Sequence, residues 1–369
     1  MENWLPEHQQ HLLYTLAHVD SVIHRLAEVI DGFLSAEPLR LENQQSREME
    51  LVVLGVSSAL PEAVPRLAAD AFNQMRSALE HCLYAEVEND LGRTLTAAES
   101  KAISIPVAKD EASLLKWFTE GQRKNLQMLG ESGVLGDRIA KLQAYDDVNH
   151  PLWLLAEHTN LAKHRMPAAA ALRVGAIVPE AFVPGLRIIG EHEDDRPLQA
   201  GEVLVSAPRG TKVPISIWPK IGIRRPHTGA WVVLMHELRV LEEWVRTEAI
   251  PILVLGKQSV DPLPPHLDIA ASYETHQHAF ASARPVAAAE RHQVRVLAQA
   301  LREDLPNVLE QEVDNVSRKA IVDFTAALED AEALELFNRY SRIRSVRGRS
   351  SAQEYLRRRI MASNNATER

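Results

Sequence analysis

Residues 66–91, RLAADAFNQMRSALEHCLYAEVENDL, decide the fold because they predict one long amphipathic helix. Apolar side chains recur three and four residues apart along one side of this stretch: Leu67, Ala71, Met75, Ala78, Leu79, Leu83 and Val87. Gly92 follows directly and is a typical helix stop. The apolar side of such a helix must be covered, so further helices are expected around it.

The sequence on either side of this helix is also predominantly helical. Segment 7–36 repeats leucine, valine and isoleucine at helical spacing. Further helices are predicted at 112–129, 135–145, 151–164, 235–255 and, in several pieces, 269–360. Pro151 suits a first helical turn. Pro251 should kink or shorten the helix that contains it.

Between residues 171 and 234 the pattern changes to short β-rich runs that are separated by prolines and glycines. The runs are 181–189, 202–207, 213–218 and 230–234, and an apolar run at 49–56 is a further candidate strand. We therefore predict a mainly α-helical bundle with a small inserted antiparallel β-sheet and a helical C-terminal extension. A proline-rich linker at 257–267 is expected to separate residues 1–256 from residues 268–369.

The composition restricts the class of protein. The formal net charge of −9 argues against a general nucleic-acid coat but is compatible with a local basic cleft. Cys82 is the only cysteine, so no intrachain disulfide is expected, as is usual in a reducing cytosol. Neither a signal peptide nor a membrane-spanning stretch is predicted, and the expected location is cytoplasmic.

A polar strip interrupts the central helix. Asn73, Arg76 and Glu80 are three and four residues apart and share one helix face. His81 lies about 140° around the helix from Arg76, although a long arginine side chain still reaches toward a shared cleft. Apolar residues surround the strip, so Arg76 is expected to be partly buried and to need a carboxylate partner, either Glu80 or Asp70. A pair of this kind is also typical of a purely structural contact.

A second polar cluster, Asn160-Leu-Ala-Lys163-His164-Arg165, closes the helix predicted at 151–164. Lys163 and Arg165 suit the binding of an anionic substrate, and His164 suits proton transfer. Cations also stabilise the C-terminal end of a helix, so capping is the competing interpretation.

No metal ion or cofactor is predicted. His150 and His158 are close to the second cluster in sequence, but no HExxH motif occurs and the single cysteine is distant. The chain also contains no phosphate-binding loop, no dinucleotide-binding glycine fingerprint and no GxSxG elbow.

The order of four short motifs resembles that of a widespread group of bacterial proteins that has no established activity. In this chain the motifs are Arg76-Ser-Ala-Leu-Glu-His81, Ile105-Pro-Val107, Leu142-Gln-Ala-Tyr145 and Asn160-x-x-Lys163-His164-Arg165. In the group they read RSALDH, FPI, QPY and NxDKHR. The likeness spans roughly residues 10–255.

The spacing Arg76-x4-His81 is also similar to the R-x(4–6)-H motif of HEPN-domain proteins, helical bundles that often act as metal-independent ribonucleases. The resemblance implies a HEPN-like bundle, a homodimer that brings two motifs to one cleft, and RNA cleavage as a toxin or antiphage defence effector. The implied site has Arg76, His81 and His164 as catalytic residues, Asn73, Asn160, Lys163 and Arg165 as substrate-binding residues, and Asp70 and Glu80 as orienting residues.

Two other functions remain open. The chain is a non-catalytic HEPN-like binding or scaffold module if Arg76 and Glu80 form a buried structural network with Lys163 and Arg165. It is a nucleic-acid-binding regulator if the arginine-rich end, residues 339–359, folds into recognition helices. The expected partners are RNA, a second copy of the chain and a protein such as an antitoxin, and no membrane contact is expected.

Overall fold

The computed structural model describes residues 4–164, 168–179, 182–189, 199–258, 260–313 and 316–367. The chain divides into two compact units, Met1–Ala289 and Glu290–Arg369. Both are mainly helical, which confirms the predicted class, and small antiparallel sheets occur in the first unit. Within the described residues, no helix combines the length and the apolar character that a membrane crossing requires.

The first unit is organised around helices α1 (His11–Ser35) and α2 (Ala63–Leu91), which pack against each other. Their apolar sides form the main core, in which Phe72 and Met75 are fully buried. Gly92 ends α2 in the left-handed conformation, with φ of 62°, which glycine adopts without a steric cost. The helical periodicity of the sequence thus predicted this pair correctly.

Four helices follow α2: α3 (Ala97–Ser100), α4 (Glu111–Thr119), α5 (Val134–Lys141) and α6 (Pro151–His164). The predicted helix 112–129 is wrong in its second half, where 3-10 turns replace α-helix from Gly121 onward. The reason is local, because Glu120 is extended and Gly121 has a φ of 58°. A right-handed helix cannot continue through that conformation.

The β structure forms two sheets. Strands β1 (Leu39–Gln45), β2 (Met49–Ser57), β4 (Arg187–Ile188) and β5 (Val203–Pro208) form one sheet in the order β1-β2-β5-β4. Strands β3 (Ala170–Pro179), β6 (Ile215–Arg224) and β7 (Trp231–Val233) form the other in the order β3-β6-β7. All pairings are antiparallel. The predicted β-rich insertion is confirmed. The prediction of a single sheet is wrong, because the inserted strands are divided between two sheets, and one of these sheets also contains β1 and β2.

Helix α7 (Leu234–Trp244) continues through a π-helical turn at Val245–Ala249 into α8 (Ile250–Leu255). Pro251 lies in the first turn of α8, directly after the π turn. Proline donates no backbone hydrogen bond, and the change of helical register at this point accommodates it. Helix α9 (His276–Ser282) completes the helices of the first unit.

The proline-rich segment 257–267 packs on the first unit instead of linking two domains. Leu263 and Leu267 are buried, and Arg246 donates from Nη1 to the carbonyl of Leu263 at 3.1 Å. His266 contacts the buried carboxylate of Asp20 at 3.0 Å. The boundary between the compact units therefore falls later, between residues 289 and 290. Composition alone misplaced this boundary, because Leu263 and Leu267, which lie near the prolines, are buried in the first unit.

The second unit is built from α10 (Ala288–Glu312), which begins at the boundary, α11 (Arg318–Ala327), α12 (Asp330–Arg347) and α13 (Arg349–Thr367). It has its own apolar core, to which Leu309, Phe324 and Leu336 contribute. The arginine-rich end of the sequence is thus part of two packed helices.

Candidate functional site

The polar strip of α2 holds a loop in place. Arg76 pairs with Glu80 at 2.7 Å, and its Nη2 also donates to the backbone carbonyl of Ile105. The Ile105 N–H in turn donates to Glu80 Oε2 at 2.8 Å. The side chain of Arg76 is only 11% exposed. The predicted pairing of Arg76 with Glu80 is therefore present, and both side chains form hydrogen bonds with the backbone of Ile105.

The same loop is held from its other side by Gln143. Its Oε1 accepts from the N–H of Ala108 at 2.9 Å, and its Nε2 donates to the carbonyl of Pro106 at 3.2 Å. Three of the four motifs noted in the sequence thus meet at one hydrogen-bonded junction. Its geometry is that of a structural clamp.

Two groups of the strip have no hydrogen-bond partner among the described residues, Arg76 Nη1 and Asn73 Oδ1, although both atoms are buried. Asp70 is exposed, and in the described part of the chain Arg76 pairs with Glu80 rather than with Asp70. The donor Arg76 Nη1 and the acceptor Asn73 Oδ1 therefore take no part in the hydrogen bonds that hold the loop.

Removal of Glu80 should loosen this clamp. In Glu80→Ala the Ile105 N–H loses its acceptor and Arg76 loses its carboxylate, so stability should fall by about 1–3 kcal/mol. Hydrogen exchange at the Ile105 amide should accelerate. Gln143→Ala is the matched control, because it should accelerate exchange at Ala108 first. Unchanged exchange at Ile105 in Glu80→Ala would contradict the clamp.

His81 does not share the surroundings of Arg76. Its exposed ring lies beside that of His11 at the start of α1, with 6.5 Å between the ring centroids. Desolvation outweighs a backbone hydrogen bond to His8 and lowers the pKa of His11, and the nearby His81 and His8 lower it further. This neighbour was not predictable from local sequence, because His11 and His81 are seventy residues apart in the chain.

The second cluster lies on a helix that packs directly against α2. The ring of His158 in α6 stacks on Phe72 with centroids 4.2 Å apart. Asn160 is exposed, and the backbones of Lys163 and His164 complete α6. The side chains of Lys163 and His164, and all of Arg165, lie outside the described residues. The two helices are thus neighbours, and a network of Arg76 and Glu80 with Lys163 and Arg165 stays a prediction.

A cleft of about 700 Å³ opens beside Asn160. Its lining comes from α6, from the residue before β3, and from the end of β6 with the loop that follows it: Glu157, Asn160, Leu161, Ala169, Arg224, Arg225, Pro226, His227, Thr228 and Gly229. Both ring nitrogens of His227 are buried without a hydrogen-bond partner in the described structure. This loop was not predicted as a site from the sequence, although Arg224-Arg225-Pro226-His227 is a compact basic run in a chain of net charge −9.

Arg225 is fixed in this cleft by a buried carboxylate. Its Nε and Nη2 donate to the two oxygens of Glu237 at 2.9 and 2.7 Å, and its Nη1 donates to Asn149 at 2.9 Å. His158 Nε2 lies 3.4 Å from the same carboxylate. Burial alone would raise the pKa of Glu237, but the hydrogen bonds from His158 and Arg225, together with the charge of Arg225, lower it overall.

The candidate metal ligands of the sequence serve other contacts. The ring of His150 lies against Trp244, and His158 is placed between Phe72 and Glu237. Among the described residues, no three histidine, cysteine, aspartate or glutamate side chains are arranged to hold a metal ion.

Comparisons with known proteins return no match: no protein-family model fits the chain, no curated protein resembles its sequence, and no solved structure resembles its fold.

Proposed function

We propose that this chain is an RNA-binding protein, a HEPN-like helical module that holds single-stranded RNA in the cleft beside Asn160. The observation that carries the proposal is the lining of this cleft. It combines Arg224, the unpartnered imidazole of His227 and the polar groups of Asn160 and Thr228. Arginine side chains bind phosphate oxygens through charged hydrogen bonds, and such contacts supply most of the affinity for nucleic acids.

The surroundings of the cleft favour a local rather than a general contact with nucleic acid. Arg225 is held by Glu237, whereas Arg224 is exposed and, within the described part of the chain, uses only its Nε, which donates to the carbonyl of Gly229 at 3.0 Å. Arg224 is therefore the cation that faces a ligand in this cleft. Lys163 and His164 follow Asn160 by three and four residues, and helical periodicity predicts that they extend the same face. The formal charge of −9 repels nucleic acid from most other surfaces.

Two polar side chains in the cleft, Asn160 and Thr228, favour RNA over DNA because they can form hydrogen bonds with hydroxyl groups. The amide of Asn160 and the hydroxyl of Thr228 both line the cleft, and each can bond with a ribose 2′-hydroxyl as donor or acceptor. The 2′-hydroxyl is the group by which proteins distinguish RNA from DNA. The resemblance to HEPN-domain proteins points to the same substrate class.

The proposal is tested with fluorescein-labelled single-stranded RNA and the full chain, by fluorescence anisotropy. Arg224→Glu should weaken binding roughly tenfold or more, because a charged hydrogen bond to phosphate contributes about 1.5–3 kcal/mol. The charge-matched control is Arg47→Glu, at the exposed turn between β1 and β2, which should bind almost as the parent does. Equal losses in both variants, or equal affinity for DNA of the same sequence, would contradict the proposed cleft.

RNA cleavage is a second candidate function, and the pairing of His11 with His81 favours it. Cleavage by the 2′-hydroxyl needs one group that accepts a proton and one that donates a proton, and two exposed imidazoles on one surface can divide these roles. The lowered pKa of His11 keeps its imidazole unprotonated near neutral pH, which is the form that accepts a proton. In this version of the mechanism, Arg76 supports the fold and His81 stays catalytic.

A further inference from the structure

Helix α12 packs into the core of the second unit through Ala333, Leu336 and Tyr340. Leu334 and Ile343 are partly buried against the edge of this core, and both also line an open groove along the helix. Val346 lines the same groove and is 75% exposed. Apolar side chains in an open groove are a common feature of protein–protein contact sites.

Helix α12 forms one wall of this groove, which has a volume of about 740 Å³. The α12 residues that line it recur at alternating steps of three and one: Ala331, Leu334, Glu335, Asn338, Arg339, Arg342, Ile343, Val346 and Arg347. These residues extend for about 24 Å along the helix, since a helix rises about 1.5 Å per residue. Val294 of α10 lines the opposite wall. The groove therefore has the length of about four helical turns.

The charge around this groove has one dominant sign. Arg339, Arg342 and Arg347 line it together with a single carboxylate, Glu335. Arg342 and Arg347 are exposed and form no ion pair within the described part of the chain, whereas Arg339 lies over the ring of Tyr355. Two long cations are thus available along the rim of an apolar floor.

We propose that this groove binds an amphipathic, acidic helix of a partner protein. Helices dock into grooves through apolar side chains at i, i+3, i+4 and i+7, and flanking charges select the partner. The floor made by Leu334, Ile343 and Val346 matches such a stripe, and the arginine rim matches glutamates or aspartates beside it. A nucleic-acid backbone gains little from an apolar floor, so the combination favours a protein partner.

The experiment uses two synthetic peptides of about sixteen residues, the length that spans the groove. Both carry the same leucine stripe; one has glutamates and the other has lysines at the flanking positions. Binding to the full chain is measured by fluorescence anisotropy. The acidic peptide should bind at least tenfold more tightly. The double variant Arg342→Glu/Arg347→Glu should reverse this preference, and Val346→Asp should weaken the acidic peptide.

Arg357→Glu/Arg359→Glu is the matched control, because it makes the same charge change on exposed positions of α13 that do not line the groove. It should leave the preference for the acidic peptide in place. The altered side chains are all exposed, and circular dichroism verifies the fold. Absence of peptide binding, equal binding of both peptides, or insensitivity to Val346→Asp would overturn the proposal. It would also be overturned if labelled RNA or duplex DNA bound in an Arg342- and Arg347-dependent manner while the acidic peptide did not compete.

Discussion

Arg225→Ala should lower the free energy of unfolding by about 3–5 kcal/mol, because it leaves a buried carboxylate without its cation. Glu237 is only 1% exposed, and both of its oxygens accept hydrogen bonds from Arg225. A bidentate contact of this kind is stronger than a single hydrogen bond. His158 remains near one oxygen at 3.4 Å and cannot replace two short bonds.

The pH dependence of this effect has a defined sign. The pKa of Glu237 is lowered in the folded protein, so its contribution to stability is complete above its ordinary value of 4.5 and disappears as the pH falls through the folded value. Without Arg225, burial dominates and raises that pKa. The difference in stability between the parent and Arg225→Ala should therefore be large at pH 7 and shrink in acid.

Urea unfolding at several pH values measures this difference. Arg239→Ala is the control. Arg239 lies on α7, the helix that carries Glu237, and pairs with Glu243 at 3.0 Å on the exposed surface. Its loss should cost at most about 0.5 kcal/mol. Combining Arg225→Ala with Glu237→Gln should recover part of the stability, because the unpaired charge is gone. If Arg225→Ala is no more harmful than Arg239→Ala, the buried pair is not what holds α6, α7 and the β6–β7 loop together.

The periodicity of the sequence was sufficient to predict α1 and α2, because each carries its apolar residues on one side of the helix. Strand β1 was not predictable in the same way. Apart from Leu39 its residues are exposed, so an edge strand with the sequence LRLENQQ shows no alternation of apolar and polar residues. Its only signal is its pairing with β2, which is a property of the fold.

The candidate site shows the same limit. The pairing of Arg76 with Glu80 was predictable, because residues four apart on a helix are neighbours. Their common partner, the backbone of Ile105, was not predictable, because Ile105 contacts α2 only in the folded chain. The contact between His11 and His81 likewise depends on how α1 packs against α2. Sequence identifies which groups have useful chemistry, and packing decides which of them meet.

If the protein cleaves RNA, His11→Ala and His81→Ala should each reduce the cleavage rate by about a hundred- to ten-thousand-fold, the usual effect of losing a general acid or base. The products should end in a 2′,3′-cyclic phosphate, because the neighbouring hydroxyl attacks the phosphorus. DNA lacks that hydroxyl and should remain intact. EDTA should have no effect on the rate. As the pH falls, the rate should decline through the lowered pKa of His11, since a base must be unprotonated to act.

His18→Ala is the matched control for this prediction, because His18 is an exposed histidine on the same helix as His11. It should cleave as the parent does. The HEPN resemblance makes Arg76 the partner of His81, whereas the geometry gives Arg76 the task of holding Ile105. Arg76→Ala separates the two when thermal melting and cleavage are measured together: a lower melting temperature with residual activity supports the clamp, and an intact fold without activity supports the Arg76–His81 pair. Loss of activity in EDTA, or full activity in both His11→Ala and His81→Ala, would exclude the two-histidine mechanism.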